Sequence, residues 1–214
     1  MTASETIVVD YGAGNLFSIC RAVEKCGGRS RLVTDPGEIV NADRAILPGV
    51  GAFGDNMAEL KRMGMADALI EFAKGGRPLL GICLGMQMLF DASEEFGEHS
   101  GLGLIRGRVT RIACTQTDGT PQKVPHIGWN ELVEPMPGRW QGTVLEKTPP
   151  GTTAYFVHSY CAQTVDENDV LATCLYGGRR LVAAIQKENV CGCQFHPERS
   201  GPRGLEIISR LIQA

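Results

Sequence analysis

Pro78-Leu79-Leu80-Gly81-Ile82-Cys83-Leu84-Gly85-Met86-Gln87-Met88-Leu89-Phe90 joins two periodicities. Leu79 to Ile82 is a short apolar run of the kind a buried strand shows, and a helical spacing of apolar residues resumes at Leu84, Met88 and Leu89. Cys83 stands at the joint, with Gly81 and Gly85 two residues to either side. This Gly-x-Cys-x-Gly pattern predicts a nucleophile elbow, the glycines letting the chain turn sharply and letting strand and helix approach closely. A side chain at such a turn projects from the carboxyl edge of the sheet, where ligands of open α/β folds bind. The start of the helix puts its positive end beside the sulfur, which favours thiolate, and leaves the Leu84 amide free to face a developing oxyanion. Taken alone, the same residues also fit a buried, inert cysteine.

A second stretch, Gln194-Phe195-His196-Pro197-Glu198, separates those readings. Residues 190–195 read as a strand, and in an extended chain His196 and Glu198 point to the same side with Cα atoms roughly 6.5 Å apart. A carboxylate placed so can hold the imidazole. His196 then serves as general base and acid for the thiol and the leaving group, and Glu198 fixes its tautomer and stabilises the imidazolium. Pro197 cannot donate a ladder hydrogen bond, so the strand is expected to end there and expose the pair. Gln87, one helical turn after Cys83, is placed to hold a substrate or an acyl-enzyme.

With these residues in view, Gly81 to Gln87 and Gln194 to Glu198 resemble the two signatures of the class I (triad) glutamine amidotransferase family, in the family's order of cysteine, histidine, glutamate. The resemblance covers nearly the whole chain. Asp10-Tyr11-Gly12-Ala13-Gly14-Asn15, Leu47 to Phe53, Pro125-His126-Ile127-Gly128-Trp129-Asn130 and Phe156 to Tyr160 resemble the branch that serves imidazole glycerol phosphate synthases. It implies that glutamine is hydrolysed to glutamate and ammonia through a thioester on Cys83. It also implies that Gly49, Val50 and Gly51 supply the second oxyanion donor and touch the substrate through their backbone, with Tyr155, His158, Ser159 and Tyr160 close to the glutamine pocket. The implied partner is a (β/α)₈ cyclase forming imidazole glycerol phosphate and an aminoimidazole carboxamide ribotide in histidine biosynthesis, in a heterodimer whose interface would include Asn15, Trp129 and Arg199. Three other readings stay open: the glutaminase subunit of another synthase, of anthranilate or aminodeoxychorismate type; a stand-alone cysteine hydrolase of γ-glutamyl conjugates; and a non-catalytic binding subunit.

The bounds agree with a single domain over 1–214, long enough to bury a core without disulfides. At 43% hydrophobic and 21% charged the composition is that of a soluble globule, and a net charge of −3 gives no reason to expect nucleic acid. No apolar run has membrane length, and Met1 to Glu5 carries neither a signal peptide nor a transit peptide pattern, so a cytoplasmic location is expected. Eight cysteines without a secretory signal read as free thiols. Cys191-Gly192-Cys193 has no second close pair to complete a zinc site and reads as core. Gly12-Ala13-Gly14 lacks the third glycine of a dinucleotide fingerprint, position 17 being Phe17, so neither a metal nor a cofactor is expected.

Strands are expected near Ile7-Val8-Val9, 30–33 and Ala45-Ile46-Leu47. Helices are expected over Asn15 to Cys26 and Asp55 to Lys74, the second broken or bent near Gly64. This rhythm predicts an open, mostly parallel α/β sheet with helices on both faces. Glu94 to Gly101 reads as a polar connector with His99 solvated. The later segments, 102–113, 123–133, 153–162, 170–176, 181–186 and 190–195, read as strands that extend the sheet and add antiparallel partners. Asp118-Gly119 and Gly177-Gly178 mark turns, the proline-rich stretch Glu134 to Gly151 a mobile loop, and Pro202 to Ile212 a closing helix. Asn15 can equally be an N-cap, Arg199 a solvated cation, His158 a satisfied core residue and Trp129 core.

Overall fold

The computed structural model describes residues 5–213, so the reading of Met1 to Ser4 lies outside it. In chain order the elements are β1 (Glu5–Val9), α1 (Leu16–Lys25), β2 (Arg29–Val33), α2 (Pro36–Val40), β3 (Ala45–Leu47), α3 (Phe53–Arg62), α4 (Met65–Lys74), β4 (Leu79–Ile82), α5 (Leu84–Met88), β5 (Phe90–Ser93), β6 (His99–Ser100), β7 (Ile105–Arg111), β8 (His126–Glu131), β9 (Thr153–His158), β10 (Tyr160–Thr164), β11 (Val170–Tyr176), β12 (Arg179–Lys187), β13 (Val190–Cys193) and α6 (Gly201–Gln213). A seven-stranded sheet in the order β11-β12-β13-β4-β3-β1-β2 carries the molecule. From β13 to β2 all neighbours are parallel, while β11 and β12 add an antiparallel hairpin at one edge.

Both faces of that sheet are covered, as short, apolar parallel strands require. Along β1, Ile7 and Val9 join one core with α2, α3 and α4, through Ile39, Phe53, Leu60, Leu69 and Phe72. Val8 points the other way, into a core with α1 and α6 through Ile19, Val23, Ile208 and Leu211. Cys191 and Cys193 share that second core, and burial pushes the Cys191 thiol up to about 12. A four-stranded sheet, β10-β7-β5-β6, and the two-stranded ribbon β8-β9 lie beyond the carboxyl end of β4 in sequence. Among the described residues no helix is long and apolar enough to cross a membrane.

The break expected near Gly64 is present: that residue, at φ +70°, divides the stretch into α3 and α4. Three expectations need correction. The elbow helix stops at Met88 instead of running on through Leu89, because the Leu104 and Ile105 amides donate to the Leu89 carbonyl at 2.9 and 3.0 Å and draw the chain into β5. His99 is half-buried and not a free loop residue: it belongs to β6, and its ring lies against Gly54 at the start of α3. The stretch 134–151 has no helix or strand but is anchored, with Trp140 and Leu145 buried and the Trp140 indole N–H donating to the Leu171 carbonyl at 2.7 Å.

Candidate active site

Cys83 follows β4 directly and precedes α5, at φ +55° and ψ −112°. A non-glycine residue held there stores of the order of 1–3 kcal/mol of backbone strain. Of the two roles expected of the glycines the close approach is present, while the positive φ of the turn falls on Cys83 itself. A Cβ on Gly85 would sit 1.9 Å from the Leu47 carbonyl oxygen, and one on Gly81 would meet the Gly85 backbone at 2.7 Å. The strain is held from both sides: the Cys83 amide donates to the Cys193 carbonyl at 2.7 Å, and the Cys83 carbonyl accepts from the Gln87 amide at 3.3 Å. With only five residues in α5, the electrostatic help to the sulfur comes from first-turn amides and not from a long helix dipole.

β13 delivers the second element at the neighbouring strand end. It stops at Cys193, and Pro197 begins a single 3-10 turn, Pro197–Arg199, with His196 as its N-cap residue. His196 and Glu198 therefore meet across a turn and not along an extended strand as expected, because proline at the first position favours helical φ. The His196 Nδ1 to Glu198 Oε1 distance is 2.9 Å, with the carboxylate fully buried. Nε2 is left free of that contact, and His196 and Cys83 line the same cavity. Burial pulls the His196 pKa down, but its interactions with Cys83 and Glu198 outweigh it and raise the value to about 10. The imidazolium is thus the favoured form, ready to give a proton to a leaving amine.

A cavity of about 360 Å³ opens over the sulfur. Val50, Gly51, Leu84, Gln87, His158, Ser159, Tyr160 and His196 line it with Cys83, as does Glu95, whose carboxylate accepts from the Phe53 amide at 2.7 Å and fixes the start of α3. Gly49 is behind this wall, where a Cβ would stand 2.8 Å from the Gly85 amide nitrogen. Tyr155 is outside it too: its ring packs edge-on to Trp129, centroids 6.1 Å apart, with the Arg199 guanidinium 5.1 Å from the ring centre. Its backbone holds the His196 turn instead, the carbonyl accepting from the His196 amide at 2.9 Å. Trp129 is exposed together with Ile127 on the outward face of β8, whereas His126 faces inward. Asn15 precedes α1 but its side chain makes no capping hydrogen bond.

One wall is organised by a network of buried side chains around His158, Tyr160 and Gln87. His158 Nδ1 lies 2.8 Å from the Tyr160 carbonyl, which can only accept, so that nitrogen carries the proton and Nε2 is an acceptor. His126 Nδ1, 2.9 Å away, must then donate to it, and His126 Nε2 accepts from the Asn130 amide at 3.3 Å. Burial lowers both imidazoles to about 4, so the pair is neutral. The Tyr160 carbonyl also accepts from Gln87 Nε2 at 3.0 Å, and the same nitrogen donates to Gln194 Oε1 at 2.9 Å. Gln87 therefore turns its own oxygen free as an acceptor, and Gln194 directs its amide toward Cys83 Sγ at 3.9 Å. Gln194 and His126 were not singled out from sequence. The apolar alternation of Ile127 and Trp129 would by itself turn His126 outward, so the sequence carried no signal for it. Among the described residues no group of three or more His, Cys, Asp or Glu could hold a metal ion.

Comparison with known proteins gives a consistent picture. The family model described as glutamine amidotransferase class-I matches residues 7–214. The chain is 47% identical to "Imidazole glycerol phosphate synthase subunit HisH 1" of Legionella pneumophila (strain Lens), over 98% of this chain and 99% of that one. It is 43% identical to "Imidazole glycerol phosphate synthase subunit HisH" of Wolinella succinogenes, over 96% and 98%. Among solved structures, PurLQS from Thermotoga maritima superposes with a TM-score of 0.74 at 20% identity, covering 99% of this chain and 98% of that one. A structure described as a glutamine amidotransferase does so at 0.71 and 18% identity, over 97% and 99%. At such identities these two speak for the fold alone.

Proposed function

The chain belongs to the class I glutamine amidotransferase family, and from that premise we propose that it is the glutaminase subunit of an imidazole glycerol phosphate synthase, working in histidine biosynthesis. It acts as one glutaminase domain over residues 1–214, in the cytoplasm. The Cys83 sulfur attacks the side-chain carbonyl carbon of glutamine, and His196 gives its proton to the departing ammonia. Water activated by His196 then hydrolyses the thioester to glutamate, while Glu198 keeps the imidazole in place. The Leu84 amide and the backbone of Val50 and Gly51, which reach the cavity while Gly49 backs them, receive the oxyanion of each tetrahedral intermediate. Gln87 and the segment His158, Ser159 and Tyr160 hold the substrate. The observation that carries this chemistry is the strained Cys83 sharing one cavity with a His196 that Glu198 holds at 2.9 Å.

Ammonia needs an acceptor, and the partner is the cyclase subunit, bound as a heterodimer. Phe17, Val50, Ile127 and Trp129 are large apolar residues left exposed, and Trp129 stands beside Tyr155 and Arg199. An aromatic and arginine cluster of this kind suits a protein interface. The test is glutamate release from glutamine by the purified chain, alone and with a cyclase subunit plus its nucleotide substrate. Turnover should appear in the liganded complex and vanish with Cys83→Ala. Turnover equal with and without the partner would instead indicate a stand-alone hydrolase.

A further inference from the structure

The loop after β3, residues 48–52, forms the cavity wall facing Cys83, and two buried side chains behind it hold its carbonyls. Asn56 Nδ2 donates to the Val50 carbonyl at 3.0 Å and to the Ala52 carbonyl at 2.8 Å. The Tyr11 hydroxyl, from the end of β1, lies 2.8 Å from the Pro48 carbonyl and 2.9 Å from Asn56 Oδ1. Turning the Asn56 amide over would aim its oxygen at two carbonyls, so this orientation is the one the neighbours permit. Burial, with the Cys83 charge second, raises the Tyr11 pKa, so its oxygen keeps its single proton. That one proton is shared between two acceptors, and the clasp is short of a donor by one.

A trans peptide points its N–H opposite to its C=O. Anchoring the Pro48 and Val50 carbonyls on the α3 side therefore turns the Gly49 and Gly51 amides away from Tyr11 and Asn56. The Gly49–Val50 peptide is pinned on both sides, yet among the described residues no protein hydrogen bond holds its own carbonyl or amide. An unanchored loop carbonyl swung toward Cys83 would repel an oxyanion there.

We propose that Tyr11 and Asn56 are positioning residues for the glutaminase reaction, holding the carbonyls of residues 48, 50 and 52 away from the place where the oxyanion forms. The proposal rests on the glutaminase reading above. Neither residue touches substrate; each acts through the loop backbone. Their effect falls on the transition state, where negative charge develops, and not on ground-state binding of neutral amide.

The experiment compares the intact heterodimer carrying wild-type chain, Asn56→Leu or Tyr11→Phe, measuring kcat and KM for glutamine and the rate at which iodoacetamide alkylates Cys83. Alkylation passes through no oxyanion, so it reports the nucleophile alone. Asn56→Leu should lower kcat about ten- to a hundred-fold, since losing an oxyanion donor outright costs at least that much, with KM within about three-fold. Tyr11→Phe should show the same pattern more weakly, and it carries the test if Asn56→Leu does not fold. The alkylation rate should stay near the wild-type value in both. An unchanged kcat, an equal fall in alkylation, or a rise in partner-independent turnover would each overturn the proposal. A wild-type complex that releases no glutamate would instead sink the glutaminase reading itself.

Discussion

The two walls of the cavity treat histidine in opposite ways. On the elbow wall His196 is drawn up to about 10 by Cys83 and Glu198 against the pull of burial. On the facing wall His126 and His158 are lowered to about 4 by burial, which no carboxylate offsets. One wall therefore keeps a mobile proton for chemistry. The other uses protons only to fix direction, each neutral ring donating from Nδ1 and accepting at Nε2. The means differ as well. The elbow wall stores strain in one residue's backbone, at φ +55°, whereas the facing wall relies on side chains drawn from β8, β9 and α5. Charge separation is confined to the place where a leaving group needs it.

The contrast breaks first at Glu198. Glu198→Gln keeps the shape but replaces the charge that holds His196 as an imidazolium, and kcat for glutamine should fall by about 10²–10⁴-fold. A variant within three-fold of wild type would remove Glu198 from the triad, with single-turnover thioester formation as the check.

A smaller effect is expected across the cavity. His126→Phe preserves the ring packing on Phe156 and Tyr176 but deletes the donor to His158. Leaving that buried acceptor unpaired costs about 1–3 kcal/mol. Through the Tyr160 carbonyl and Gln87, KM for glutamine should rise several-fold, up to about ten-fold, with a lesser change in kcat. A loss confined to kcat would show that this wall serves the chemical step and not the substrate.

The mildest prediction concerns pH. A folded-state value raised to about 10 gives His196 a stabilising contribution that is complete below its unfolded value near 6.5 and disappears as pH rises through 10. For His126 and His158 the sign is reversed. Their folded values lie near 4, so the unfolded chain takes up protons first, and stability declines as pH falls from about 6.5 toward 4. Thermal unfolding should accordingly be best near neutrality and weaken on both sides. His126→Phe should flatten the acid limb and leave the alkaline one in place; an unaltered acid limb would count against a neutral pair.

Much of the elbow wall could be read directly. Gly81, Cys83 and Gly85 lie within five residues, and His196 and Glu198 within three, so short-range backbone rules brought them to notice. Even so, locality misled on detail: the positive φ belongs to Cys83, and the His196 to Glu198 contact spans a turn. On the facing wall His158, Tyr160 and Gln87 were named, but the network joining them escaped because its partners are far apart in the chain, His126 and His158 by 32 residues and Gln87 and Gln194 by 107. Single residues in alternating strands look alike whether they merely fill a core or close such a network.

The sequence by itself determined the alternation of strand and helix, the parallel sheet that follows from it, and the identity of Cys83, His196 and Glu198, because each depends on periodicity or on neighbours a few residues away. Tertiary structure alone decided where α5 stops, which way Gln87 and both imidazoles point, and that Tyr11 and Asn56 meet behind the 48–52 loop. The physical reason is common to all of these. A buried donor or acceptor must find a partner, and which partner lies within 3 Å is settled only once separate strands and helices have packed together.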